Sequence, residues 1–99
     1  MNNINLESKY LDFIKQILCS VFDDIEIFIF GSRTQGKADE YSDIDIAIKS
    51  KNKLDITDIL YARSKFHDST FPFKVDIIDL NNIDEKFYKI IEPDLVKIK

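Results

Sequence analysis

The stretch from residue 30 to residue 49 constrains the fold of this chain more than any other. Both glycines of the chain, Gly31 and Gly36, lie in it. An apolar run ends at Gly31, a polar segment follows, and a second apolar run then opens with Asp43 and Asp45. Apolar, β-branched runs of this length are typical of buried strands. The stretch therefore predicts two strands joined by a polar loop, with two aspartates at the start of the second strand.

Hydrophobic periodicity predicts the remaining elements. Apolar residues at spacings of three and four predict helices at residues 6–22, 54–67 and 83–92. Asn5 is expected to cap the first of these helices, and Asn81 or Asn82 the last. Short apolar runs predict strands at residues 25–30, 43–49 and 73–80, with a short edge strand at 95–98. Residues 32–37 are expected to form a helical turn that ends at Gly36. These elements indicate an α/β (α+β) fold, a two-layer sandwich with one mixed sheet and helices packed on one face.

Length and composition narrow the functional classes. The 99 residues are expected to form a single domain, residues 1–99. A net charge of −4 is unfavourable for direct nucleic-acid binding, which needs clustered lysine and arginine. No apolar run is long enough to span a membrane, no signal peptide is recognisable at the N-terminus, and one cysteine excludes an internal disulfide. The expected location is therefore the cytoplasm.

Three aspartates share the strand phase that a metal site requires. Alternation along a strand places Asp43 and Asp45 on one face and the intervening isoleucines on the other. Asp76 has the matching phase on the later strand. Oxygen ligands suit Mg²⁺ or Mn²⁺ rather than Zn²⁺. Asp43, Asp45 and Asp76 are thus predicted to hold two metal ions, as in phosphoryl and nucleotidyl transfer.

The residues after the first strand are suited to a phosphate. Gly31 would let the backbone approach an anion closely, and Ser32 would add a hydroxyl at the start of a helical turn. Arg33 is a candidate cationic contact to a phosphate. Gly31, Ser32 and Arg33 are therefore predicted to bind the tail of a nucleoside triphosphate. Asp79 has the opposite strand phase and is interpreted as an edge or capping residue, and His67 as a surface residue at a helix end.

The ordered set of motifs resembles the polymerase-β-like nucleotidyltransferase superfamily. The residues that carry the resemblance are Gly31-Ser32-Arg33, Gly36, Ser42-Asp43-Ile44-Asp45-Ile46 and Lys74-Val75-Asp76-Ile77-Ile78. They are most similar to its minimal nucleotidyltransferase (MNT) branch, and the resemblance covers nearly the whole chain. The resemblance implies that Asp43 and Asp45 ligate both metals. It also implies that Asp76 ligates the catalytic metal and helps to deprotonate the attacking hydroxyl.

The chain departs from the MNT pattern at one point. Thr34-Gln35 stands where many members of the branch have a small residue followed by arginine. This removes one cation near the phosphates, which would affect nucleotide affinity or rate rather than the class of reaction.

The resemblance also implies a partner. Minimal members pair with a separately encoded HEPN-domain toxin, an RNase, and act as its antitoxin by transferring AMP from ATP to a toxin tyrosine. The acceptor is then expected to be bound in a homo- or hetero-oligomer rather than by a further domain of this chain. Two alternatives remain open at this stage. One is an antitoxin that neutralises its partner by binding alone, and the other is a transferase for a small molecule such as an aminoglycoside.

Overall fold

The structure is a computed structural model that describes residues 4–36 and 42–99. Four strands form one mixed sheet: β1 (Glu26–Phe30), β2 (Ile44–Lys49), β3 (Val75–Asp79) and β4 (Val96–Lys97). The described residues also form four helices: α1 (Ser8–Val21), α2 (Ser32–Gln35), α3 (Ile56–His67) and α4 (Glu85–Ile91). Short 3₁₀ turns at Leu80–Asn82 and Glu92–Asp94 flank α4. In this part of the chain no helix is both long enough and apolar enough to cross a membrane.

The strand order is β3-β2-β1-β4. β1 runs antiparallel to β2 and to the short edge strand β4, whereas β2 and β3 are parallel. Phe30 therefore lies opposite Asp45, and Asp45 lies opposite Asp76. The mixed sheet, the helical turn α2 and the edge strand β4 confirm the mixed-sheet α/β (α+β) fold predicted from the sequence.

One face of the sheet forms the main core. Isoleucines of β1 and β2 alternate inward, and five of them have no exposed surface. The helices α1 and α3 cover this face with buried residues at helical spacing, namely Leu11, Ile14, Leu18, Ile59, Ala62 and Phe66. Burial of a side chain of this size contributes roughly 1.5–3 kcal/mol relative to its exposed state. The hydrophobic pattern of β2 therefore determines which face its aspartates occupy.

The opposite face is only partly open. Phe30, Ala47 and Ile91 form a second, smaller buried cluster, because α4 folds back across this side of the sheet. The sequence predicted that the helices pack on one face of the sheet, whereas in the structure α4 packs on the other face. Ala47 shares the phase of the aspartates but is fully buried. This face is more open toward the start of β2, where Asp43 is exposed and Asp45 is half-buried.

The sequence predicted the wrong N-cap residue for two helices, α1 and α4. Asn5 was expected to cap α1, but the N-cap position is Glu7, which makes no side-chain cap hydrogen bond. Asn81 or Asn82 was expected to cap α4, but both lie in the 3₁₀ turn, and Asp84 accepts a hydrogen bond from the Phe87 N–H at 2.7 Å instead. Both errors arose because each chain segment bends once more before its helix begins.

Asp79 links two turns at the end of β3, which agrees with its interpretation as a capping residue. Its buried carboxylate accepts hydrogen bonds from the Leu54 N–H at 2.7 Å and from the Asn81 N–H at 2.9 Å. The first contact holds the segment that leads into α3, and the second caps the 3₁₀ turn before α4.

Replacement of Asp79 should therefore destabilise the fold. Asp79→Ala leaves both N–H groups without this acceptor and should lower the free energy of unfolding by about 2–3 kcal/mol. Asp79→Asn keeps one acceptor oxygen and should cost roughly half as much. Urea unfolding of the three proteins measures the difference. Equal stability of Asp79→Ala and wild type would show that solvent replaces these hydrogen bonds.

Candidate active site

The three predicted carboxylates meet at one end of the sheet. Asp43 directly precedes β2, Asp45 is its second residue, and Asp76 is the second residue of β3. Asp45 and Asp76 are register partners on adjacent parallel strands, whose separation is about 4.8 Å. Asp43 lies two residues before Asp45, about 6–7 Å along the same side of the strand. Asp43 and Asp76 are exposed, and Asp45 is half-buried between them.

The negative charges of the three carboxylates repel one another. The pKa of Asp45 is raised, first by burial and then by the negative charges of Asp76 and Asp43. Such an arrangement costs free energy unless a cation compensates for it. Among the described residues no three acidic, histidine or cysteine side chains are already gathered around one metal position. The donor set nevertheless fits Mg²⁺ or Mn²⁺, because all three side chains offer oxygen ligands and two of them are accessible.

Gly31 packs its backbone against the Asp45 carboxylate. A Cβ atom at this position would collide with Asp45 Oδ2, so no larger residue fits without displacing the carboxylate. Gly31 also has φ 76° and ψ −149°, a conformation that is strained for residues with a side chain. Its carbonyl accepts hydrogen bonds from the N–H groups of Thr34 and Gln35, which starts α2. The predicted phosphate loop and the predicted metal ligands are therefore in direct contact.

Ser32 is the first residue of α2 and is half-buried. It follows Gly31 directly, so its hydroxyl is one residue from the backbone that touches Asp45. Gly36 ends α2 in the left-handed conformation at φ 73°, as the sequence predicted. This four-residue helix keeps Ser32 at the same end of the sheet as the aspartates.

Arg33 does not occupy the position expected of a phosphate ligand. Only 4% of its surface is exposed. Its two terminal nitrogens donate hydrogen bonds to the carbonyls of Asn5 at 2.9 Å and Ser42 at 2.8 Å. The guanidinium carbon also lies 4.7 Å from the centre of the Phe73 ring. The geometry contradicts the prediction of a direct phosphate contact, because the guanidinium is enclosed and both terminal nitrogens already have acceptors.

The contacts of Arg33 join three segments that flank the site. Asn5 belongs to the segment before α1, Ser42 immediately precedes Asp43, and Phe73 lies three residues before Asp76. The Asn5 N–H also donates to the Arg33 carbonyl at 2.8 Å. Arg33 therefore positions the start of β2 relative to α2. The sequence did not predict these three contacts. Asn5 and Phe73 are distant in sequence from Arg33 and belong to no local motif, and the motif that contains Ser42 does not indicate that its backbone carbonyl accepts a hydrogen bond from Arg33.

Comparison with known proteins agrees with this geometry. The family model described as "Polymerase beta, Nucleotidyltransferase" matches residues 5–96. That range includes the glycine-serine turn and all three aspartates.

The chain belongs to the polymerase beta nucleotidyltransferase family.

Individual relatives of this nucleotidyltransferase point to the MNT branch and confirm the resemblance seen in the sequence. A Haemophilus influenzae protein named a probable protein adenylyltransferase, MntA, is 35% identical over 96 residues, which cover 97% of this chain and 84% of the relative. A solved structure of a tri-AMPylated Shewanella oneidensis HEPN toxin with its MNT antitoxin matches with a TM-score of 0.75 and 21% identity, covering 95% of this chain and 72% of the other. A toxin–antitoxin structure with AMP-PNP matches with a TM-score of 0.78 and 23% identity, covering 95% and 73%.

Repulsion among Asp43, Asp45 and Asp76 should lower the stability of this nucleotidyltransferase when no metal is bound. We expect Asp45→Asn to raise the free energy of unfolding by about 1 kcal/mol in chelator at neutral pH, since partial exposure screens the charges. A raised carboxyl pKa means that the folded state holds this proton more tightly than the unfolded chain. The wild-type stability should therefore fall as pH rises through that pKa, and the advantage of the variant should grow.

Thermal unfolding in EDTA at several pH values measures this effect. Asp23→Asn, at an exposed position outside the site, is the matched control and should leave stability nearly unchanged. Added Mg²⁺ should stabilise wild type more than Asp45→Asn. An Asp45→Asn variant that is less stable than wild type in EDTA would contradict the electrostatic account.

Arg33 should affect catalysis because it positions the segment before Asp43, and not because it contacts the nucleotide. Arg33→Lys cannot reach both carbonyls with one ammonium group, so it should cost about 1–3 kcal/mol of stability. Below its melting temperature the variant should show a lower kcat with a nearly unchanged KM for ATP, because Asp43 loses its fixed position. Steady-state kinetics separate the two constants. A large rise in the KM for ATP with an unchanged kcat would contradict this positioning role and support the phosphate contact that the sequence predicted.

Proposed function

We propose that this chain is a Mg²⁺-dependent protein adenylyltransferase that transfers AMP from ATP to a hydroxyl group of a partner protein. The observation that supports this most strongly is the position of Asp45. It lies opposite Asp76 across the parallel pair and against the backbone of Gly31. Carboxylates and a phosphate loop thus adjoin at one end of the sheet, as transfer of a nucleotidyl group requires.

Each carboxylate has a distinct role in this proposal. Asp43 and Asp45 would ligate two Mg²⁺ ions, and Asp76 would ligate the catalytic one. When bound, the ions would neutralise phosphate charge and lower the pKa of the attacking hydroxyl. Asp76 is exposed, so it can also accept a hydrogen bond from that hydroxyl and take its proton.

The triphosphate would lie along the turn between β1 and α2. The Gly31 backbone and the Ser32 hydroxyl would contact its oxygens. Arg33 would hold this turn against the start of β2 without touching the phosphates. In the reaction, the acceptor oxygen forms a bond to the α-phosphorus while the bond from that phosphorus to the bridging oxygen breaks. The acceptor proton leaves toward Asp76, and diphosphate departs with the electron pair.

The names of the relatives support the choice of acceptor. The 35% identical Haemophilus influenzae protein is named for protein adenylyl transfer, and the Shewanella oneidensis structure contains an AMPylated HEPN toxin with an MNT antitoxin. We propose that this chain likewise modifies a tyrosine of a cognate HEPN-domain toxin and so neutralises it in the cytoplasm. Residues 1–99 would form one catalytic domain, and the partner would supply the acceptor group.

Loss of the carboxylates should abolish transfer. Asp43→Asn and Asp76→Asn should each reduce labelling of the purified cognate toxin by labelled ATP by at least about a thousandfold, which corresponds to roughly 4 kcal/mol of transition-state stabilisation. EDTA should have the same effect on wild type. Gel electrophoresis and mass spectrometry of the toxin measure the transferred AMP.

One control variant and two outcomes make this experiment decisive. Asp23→Asn should label the toxin at the wild-type rate, since Asp23 is exposed and precedes β1, at the end of that strand opposite Gly31. Persistence of labelling in both carboxylate variants would refute the mechanism. If a variant that transfers no AMP to the toxin still protected cells from it, binding alone would be sufficient to neutralise the partner.

A further inference from the structure

A groove of about 640 Å³ lies between α3 and the segment that leads into β3. We call it the α3–β3 groove. Its apolar lining includes Leu60 of α3 together with Phe71 and Phe73 of the entering segment. Volumes of this order are typical of sites that hold a ligand or a few side chains of a partner. None of the residues assigned to the metals or the triphosphate lines it.

The rim of the groove is basic. Arg63, His67 and Lys74 line it and are exposed, and none of the described residues in its lining is acidic. The chain as a whole has 18 acidic and 14 basic residues apart from its one histidine, for a net charge of −4. The lining of the groove is therefore positively charged, whereas the protein as a whole is negatively charged. A positively charged groove attracts an acidic partner.

Exposed apolar side chains continue the groove along α3. Leu60 is 52% exposed, and Ile56, one helical turn earlier, is 64% exposed. Tyr61 beside them is 56% exposed. Exposed apolar groups that adjoin a concave, aromatic surface are typical of protein interaction sites. The surface thus combines an apolar centre with a charged rim, the usual anatomy of a protein interface.

The groove adjoins the acceptor side of the active site. Lys74 and Val75 line it and directly precede Asp76 in the chain. β3 is one of the two edge strands of the sheet, whereas Gly31 follows β1, two strands away. At about 4.8 Å per strand the triphosphate turn is roughly 10 Å from this edge. A protein bound in the groove can therefore reach around the β3 edge to Asp76 while the other side of the site holds the triphosphate.

Phe73 connects the groove to the site. Phe73 lines the groove, and its ring packs against the guanidinium group of Arg33, which also donates a hydrogen bond to the Ser42 carbonyl before Asp43. An occupant of the groove would thus contact the same ring that helps to hold Arg33.

We propose that the α3–β3 groove is the docking site for the acceptor protein. The occupant is a segment with an apolar side chain that enters the groove, flanked by aspartate or glutamate that meet Arg63 and Lys74. This inference rests on the proposed function, in which a protein hydroxyl attacks ATP beside Asp76. It adds to that function the surface by which the chain recognises its acceptor.

Charge reversal at the rim tests the proposal, with the purified cognate HEPN-domain protein as the probe. In the double variant Arg63→Glu/Lys74→Glu the groove becomes acidic. The matched control Lys51→Glu/Lys86→Glu has the same net charge, and its exposed positions lie outside the groove. Leu60→Ser removes the apolar contact without a change in charge. Calorimetry measures partner binding and ATP·Mg²⁺ binding separately, and initial rates are taken with the acceptor below its KM.

We expect the groove double variant to bind the partner at least about tenfold more weakly than the control, and Leu60→Ser to lose a similar factor. The AMP transfer rate should fall in proportion, while ATP affinity and the melting temperature stay near those of the control. High acceptor concentration should restore the rate, because the carboxylates are intact. That recovery separates a docking defect from a catalytic one.

Several results would overturn the proposal. Equal partner affinity in groove and control variants would show that the acceptor docks elsewhere, as would a wild-type chain that does not bind the partner. A selective loss of ATP affinity would assign the groove to the nucleotide. Dissociation of a homodimer in the groove variants, with partner binding intact, would assign it to a second copy. If wild type transfers no AMP but binds the partner through the groove, the docking site stands and the proposed chemistry fails.

Discussion

The contact between the Gly31 backbone and the Asp45 carboxylate is the constraint on which the site depends. It joins the end of β1 to the start of β2, and the parallel register of β2 and β3 then brings Asp76 beside Asp45. Only glycine fits there, because a side chain would displace the carboxylate and the backbone has a positive φ. A single close approach thus places the proposed phosphate-binding turn against the carboxylates that we propose as metal ligands.

The acidic end of the sheet is maintained at an electrostatic cost that the rest of the fold offsets. Asp45 is half-buried and shares its surroundings with two other aspartates, which raises its pKa. The fully buried isoleucines of β1 and β2 hold the strands in register on the opposite face. Arg33, held by two carbonyls and an aromatic ring, orders the segment before Asp43. Functional sites commonly retain such unfavourable charge because the ligand relieves it.

The two sides of the site differ in what they offer. The side of β1 presents backbone and a hydroxyl, which suit the repeated oxygens of a triphosphate. The β3 edge presents Asp76 and, around the edge, an apolar groove with a basic rim. This division agrees with a small enzyme that recognises its nucleotide by backbone contacts and its acceptor by a separate surface.

Much of the fold could be predicted because it depends on local pattern. Period-two alternation identified β2 and its aspartate face, and the glycines marked both ends of α2. The position of α4 could not be predicted, because its apolar residues show that one side is buried but not which face of the sheet it covers. The caps of α1 and α4 were mistaken for a related reason, since each depends on how the preceding segment bends.

The sequence by itself determined the chemistry of this protein, through residue types and spacings that place carboxylates and a glycine-serine turn at strand ends. The tertiary structure alone decided how these groups are arranged. It paired Asp45 with Asp76, pressed Gly31 against Asp45 and turned Arg33 inward. Arg33 shows the physical reason most clearly. Its charge suggested a phosphate, but its acceptors are backbone carbonyls of two other segments, and only the folded chain brings those carbonyls within reach of a guanidinium group.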